Sequence, residues 1–196
     1  MIAIRLTLSP LVTVPSGLTF RPMRAADANA VAALHAASWR SAYRDILSHR
    51  YLEEEVDTDR AATWHQRLDT PKQDAFGVVA LREGAMVGFV YVIGHADATH
   101  GTLIDNLHVA PGARSAGLGP RLLEAAALGI ESRGWGPRIF LWVYDANVRA
   151  RAFYARVGGA EVEQLRKRAP DGQDVLEWRV CWPDLAVLAT PAQSIC

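Results

Sequence analysis

Between Leu103 and Ile130 the chain sets an apolar run, a glycine-bearing turn and a helical pattern in series, and the turn is where chemistry is first legible. It reads Arg114, Ser115, Ala116, Gly117, Leu118, Gly119. Glycines let the main chain approach a bulky anion closely, and the first amides of the following helix have no intrahelical acceptor. Those amides and the helix dipole together favour a phosphate. Pro120 suits the first helical turn, where it surrenders an N–H that had no partner. The plainer reading is a tight strand-to-helix turn that uses glycine for packing. On the preceding strand, regular alternation sets the carboxylate of Asp105 on the side of the pleat shared by Leu103, Leu107 and Val109, with His108 opposite.

Elements that could position these groups follow from periodicity and punctuation. LTFRPM (18–23) reads as a short strand confined to an edge or end by Pro22. A helix with Asp27 as its cap carries Val31, Leu34 and His35 at helical spacing. Trp39 and Tyr43, four residues apart beyond it, either close a helix end into the core or line an acceptor pocket. A second helix is expected from a cap at Asp57 or Thr58 through Trp64 to Leu68. Residues 75–81 and 86–93 read as strands joined by a hairpin at Arg82-Glu83-Gly84-Ala85. After the helix that opens at the glycine turn come a strand over 139–144, a helix over 147–157 stopped by Gly158-Gly159, and strands over 160–165 and 175–182. This order predicts an α/β chain of the α+β type, with a mixed, mostly antiparallel central sheet flanked by helices. The expected organisation is an N-terminal tail over 1–17, one domain over 18–182 and a C-terminal tail over 183–196.

Two blocks resemble the GNAT superfamily of N-acetyltransferases. One is Arg-x-x-Gly-x-Gly at 114–119 after a strand ending Leu-His-Val-Ala-Pro; the other is Asn147-x-x-Ala150 followed by Phe153-Tyr154 ahead of a glycine. The resemblance implies an acyl-CoA N-acyltransferase fold and transfer of an acetyl group from acetyl-CoA to a primary amine of a small molecule or peptide, by direct attack in a ternary complex. By position, the amides of Arg114, Ser115, Ala116, Gly117, Leu118 and Gly119 hold the pyrophosphate, with Arg114 adding charge. The backbone of Leu107 and Val109 pairs with the pantetheine arm, and Asn147 contacts that arm or a phosphate. Tyr154 lies near the sulfur and is the candidate acid. Trp39 and Tyr43 fall in the segment that borders the acceptor. Where relatives carry a glutamate base this chain has Leu103, so Asp105 becomes the candidate base or holder of a water, and water alone or an already neutral amine is equally compatible. The plain alternatives are an N-cap for Asn147, a half-buried core aromatic for Tyr154 and a solvated loop arginine for Arg114. A non-catalytic acyl-CoA-binding module of the same shape is the competing function.

Composition narrows the field. The 196 residues suit one domain, and 21 Lys plus Arg against 21 Asp plus Glu give no basic excess for nucleic acid. Cys181 and Cys196 cannot make a disulfide framework, which suggests a reducing, cytoplasmic setting. No apolar run approaches the roughly 18 residues of a membrane span. None of the six histidines has zinc-ligand spacing to another His, a Cys or a carboxylate, so no metal is expected. A homodimer is compatible with all of this.

Overall fold

The computed structural model describes residues 17–114 and 117–189. Alternating apolar residues build seven strands, β1 (Leu18–Pro22), β2 (Ala75–Arg82), β3 (Ala85–Asp97), β4 (Gly101–Val109), β5 (Ile139–Tyr144), β6 (Ala160–Arg168) and β7 (Asp174–Trp182), into one sheet of order β1-β2-β3-β4-β5-β7-β6. Every neighbouring pair is antiparallel except β4 and β5. The expected mixed, mostly antiparallel sheet with flanking helices is therefore what forms. At the β2–β3 hairpin Glu83 and Gly84 both take positive φ, 52° and 81°, the backbone of a two-residue turn whose twist suits its strands.

Helices cover both faces. The leucines and alanines of α3 (Leu118–Glu131) recur so that Leu118, Leu122, Ala126 and Ile130 are wholly buried against Val90, Val92, Ile104, Leu141 and Val180. On the other face α1 (Ala28–Ala42) and α2 (Val56–Asp69) bury Val31, Leu34 and Trp64 on Val79, Phe89 and Tyr91. A third cluster joins Ala36, Trp39, Leu47, Tyr51 and Leu52 to Ala169 in the β6–β7 turn. That turn is tied to the α1–α2 connection by Asp171, whose Oδ2 accepts the Ser48 N–H at 2.6 Å.

Several expected details change. Asp27 does not cap α1: its carboxylate takes both Arg21 guanidinium nitrogens at 2.7 Å and the Arg24 N–H at 2.8 Å, because a charged partner outcompetes the helix amides. Neither Asp57 nor Thr58 starts α2, since a π-helical turn over Tyr51–Glu55 runs straight into Val56, and the Asp57 carboxylate pairs with Arg40. Residues 183–189, the described part of the segment expected as a tail, fold back in a short turn, α5 (Ala186–Ala189), that buries Leu185 and Leu188 in the core beside α3. Two apolar side chains removed from water outweigh the ordering of so few residues.

Candidate active site

β4 and β5 start as neighbours and then part. Thr102 pairs with Ile139 and Leu103 with Phe140, and no register is shared beyond them, although β4 runs on to Val109 and β5 to Tyr144. On its other side β4 stays paired, Leu107 with Val90 and Val109 with Gly88. The divergence leaves the β5-facing backbone of β4 open to an extended ligand that carries amides of its own.

A β-bulge sits at the mouth of this opening. Tyr91 faces Asn106 and Val92 faces Ile104, so Asp105 is the extra residue on β4. The bulge shifts the alternation by one, and this corrects the regular-strand reading: Leu107 and Val109 pack toward α3, whereas Asp105 and His108 both face α1 and α2. The Asp105 Oδ2 accepts from Arg67 Nη1 at 2.6 Å and from Asn106 Nδ2 at 2.5 Å, with the guanidinium 5.2 Å from the centres of both Trp64 and Tyr91. Its Oδ1 makes no hydrogen bond among the described residues.

Beyond β4 a 3₁₀ turn (Pro111–Ala113) leads to Arg114 and then to Gly117, whose φ of 65° and ψ of 20° make it the left-handed residue from which α3 begins. Among the described residues no side chain caps this helix start, which leaves its first amides as donors. Ser115 and Ala116, also expected to hold the phosphates, lie outside the described residues. The two glycines have different reasons. Among the described residues a Cβ on Gly117 would meet nothing within 4 Å, so it is the backbone sign that calls for glycine there; one on Gly119 would lie 2.9 Å from the Phe153 ring, so Gly119 lets α3 approach α4 (Val148–Arg156).

Arg114 is not the solvated loop residue of the plain reading. Its Nη1 donates to Ser41 Oγ at 2.9 Å and its Nη2 to the Ser38 carbonyl at 3.4 Å, and burial, then the like charge of Arg149, make its proton easier to lose. Arg149, exposed at the start of α4, is a second cation near the turn that sequence reading passed over. Asn147 caps α4, accepting the Ala150 N–H at 3.2 Å.

Tyr154 is 9% exposed and packs against Phe153 and Trp182. Burial, and then the neighbouring phenol of Tyr43, push its pKa far above the ordinary tyrosine value. Tyr43 is pushed up to about 12, chiefly by burial and then by Glu177, and meets Tyr144 edge-on at 4.9 Å between ring centres. Tyr43, Tyr144 and Tyr154 thus gather where the two strands diverge, and Tyr144 was not foreseen. Trp39 is enclosed by His35, Tyr43 and Tyr51, with the Arg60 guanidinium 4.4 Å over its ring, so it backs Tyr43.

His108, which regular alternation set on the side away from Asp105, is another member. Its Nδ1 lies 3.0 Å from Ser38 Oγ and its ring lies tilted by 36° against His35 with 4.2 Å between centres. Burial, then Arg114 and Arg60, push His108 down to about 3. His35 is likewise driven well below the usual histidine range, first by burial and then by His108. Trp64 Nε1 donates to His35 Nδ1 at 3.0 Å, which leaves the His35 proton on a buried Nε2 that has no partner among the described residues.

A family profile described as "Acetyltransferase (GNAT) family" matches residues 36–159, which contain the open strand, the glycine turn and α4. The chain belongs to the GNAT acetyltransferases. Similar solved structures include a GCN5-related N-acetyltransferase from Rhodopseudomonas palustris (23% identity, TM-score 0.67, covering 86% of this chain and 97% of that one). PaiA N-acetyltransferase from Thermoplasma acidophilum, solved in complex with coenzyme A, aligns at 17% identity with TM-score 0.60 over 82% and 97% of the two chains. A ribosomal-protein alanine N-acetyltransferase from Escherichia coli aligns at 19% identity with TM-score 0.59 over 91% and 99%. At such identities these structures establish the shared GNAT fold. No curated protein matches the chain. Among the described residues, no group of three or more His, Cys, Asp or Glu could hold a metal ion, and no helix is long and apolar enough to cross a membrane.

Proposed function

We propose that this GNAT chain transfers an acetyl group from acetyl-CoA to a primary amine of a small molecule or peptide, by direct attack while both substrates are bound. The observation that carries the reading is the parting of β4 from β5 beyond Leu103, with the start of α3, uncapped among the described residues, at its mouth. The thioester supplies an activated acetyl carbon. Backbone groups of β4 around Leu107 and Val109 take the pantetheine arm, and the main chain of Arg114, Ser115, Ala116, Gly117, Leu118 and Gly119 takes the pyrophosphate. Arg114 draws α1 against that turn, Arg149 adds charge, and the side-chain amide nitrogen of Asn147, without a hydrogen bond among the described residues, is available to the arm. Tyr154, kept protonated by its apolar surroundings, gives its proton to the departing thiolate. Asp105, oriented by Arg67, holds the amine or a water through Oδ1, and Tyr43, backed by Trp39, borders the acceptor beside Tyr144.

The second reading, a non-catalytic acyl-CoA-binding module, is favoured by the apolar Leu103 and by the two donors already on Asp105. Coenzyme A release across a panel of amines and peptide N-termini separates the two. Turnover on any acceptor, sensitive to Tyr154→Phe, supports the enzyme; tight acetyl-CoA binding without turnover across the panel supports the module.

A further inference from the structure

We propose that the free edge of β6 binds β6 of a second copy of this chain, antiparallel about a two-fold axis through Leu165. β6 ends the sheet and, among the described residues, only β7 pairs with it. An exposed strand edge is a template for pairing, and proteins usually blunt it. The opposite edge is blunted, because β1 is five residues long and closes on Pro22, which has no N–H to give. β6 has nine residues and no proline, and its one bulge, at Val162, leaves the run from Glu163 to Arg168 in regular register.

Two observations say what covers the edge. Of the six exposed large hydrophobics among the described residues, four (Val148, Val162, Leu165 and Leu176) lie on β6, on its partner β7 or at the start of α4. Apolar exposure concentrated at one end of a molecule marks a contact surface. Charge then selects a second copy, since β6 carries Glu161 and Glu163 toward its start and Arg166, Lys167 and Arg168 toward its end. Such a strand is complementary to itself when reversed.

Symmetry fixes the register. A two-fold axis normal to the sheet keeps every side chain on its own face, so residues opposite each other must share a face. Glu163 and Lys167 do: Glu163 accepts from Arg179 at 2.8 Å, Lys167 lies 3.3 Å over Trp142, and Arg179 and Trp142 are paired neighbours. An axis at Leu165 sets that leucine against its own copy, 39% exposed in the single chain, and sets Glu163 opposite Lys167 of the second copy on either side. Gln164 then faces Arg166, and both strands gain a ladder of backbone hydrogen bonds.

The test is the mass in solution of the full chain and of two variants, followed by sedimentation velocity across a concentration series. The wild type is expected to be a dimer. Glu163→Lys and Lys167→Glu each set like charges opposite one another twice, and each is expected to raise the dissociation constant about tenfold. An equimolar mixture of the two variants restores both opposite-charge pairs across a heterodimer and is expected to recover wild-type affinity. Contacts inside each chain are the same alone and mixed, so recovery reports only the interface. Leu165→Asp, a change at an exposed position, is expected to give a folded monomer. A wild type that stays monomeric at every concentration overturns the proposal, as does a mixture no tighter than its components or a dimer indifferent to Leu165→Asp.

Discussion

A phenol as enclosed as that of Tyr154 holds its proton throughout any working pH range, because the phenolate would lose its hydration without gaining a cation. Tyr154→Phe keeps the packing and removes the donor, so acetyl transfer should fall about 10²- to 10⁴-fold. Acetyl-CoA affinity by calorimetry should change little, and the basic limb of the wild-type rate profile should show no loss assignable to this group below about pH 10. Gly117 makes a different demand. Its φ of 65° is one that asparagine tolerates and a β-branched residue does not. Gly117→Val should cost about 1–3 kcal/mol in thermal or denaturant unfolding and weaken acetyl-CoA binding, while Gly117→Asn should retain most of both. The need for glycine here was legible in the sequence; the direction of Arg114 was not, since a long side chain between a loop and α1 follows whichever carbonyl or hydroxyl lies in reach.

Elements carry the next level of constraint. α3 meets α4 at Gly119, where a larger side chain has to displace the Phe153 ring. Gly119→Val should therefore lower stability by about 1–3 kcal/mol, and adding Phe153→Leu should recover part of it, both measured by urea unfolding. Most elements announced themselves: the leucines of α3 by their spacing, the β2–β3 hairpin by Glu83-Gly84, and β5 by its unbroken apolar run. The β4 bulge did not, because an inserted residue leaves the apolar pattern of the strand nearly intact. Missing it put Asp105 and His108 on opposite faces, when both look toward α1 and α2. Tyr144 was hidden for a related reason, as a strand covered on both faces gives no sign of which aromatic borders a cleft.

For the molecule as a whole, the buried, adjoining pair His35 and His108 sets a limit on acid tolerance. Both are held neutral in the folded chain, with pKa values driven below the ordinary 6.5 mainly by burial. Unfolded histidines take up protons below about pH 6.5, so the unfolded state binds more of them and stability drops as pH falls. For His108 the loss accumulates between the ordinary value and about 3. His108→Gln should flatten the slope of unfolding free energy against pH in that window by up to about 1.4 kcal/mol per pH unit, read from denaturant melts. Leu188 tests the other overlooked feature, the docked segment after Trp182, whose two leucines follow a proline and look like the start of a tail. Leu188→Ala should cost about 2–4 kcal/mol if its burial beside α3 contributes as core leucines do. The fork between β4 and β5 has a thermodynamic corollary. Under the proposed function, acetyl-CoA lying there would stand in for an absent strand, so the lattice would be complete only with the thioester aboard. Amide hydrogen exchange along the second half of β4 should slow sharply on saturation while the β2–β3 hairpin is unmoved, and heat tolerance should climb with ligand concentration.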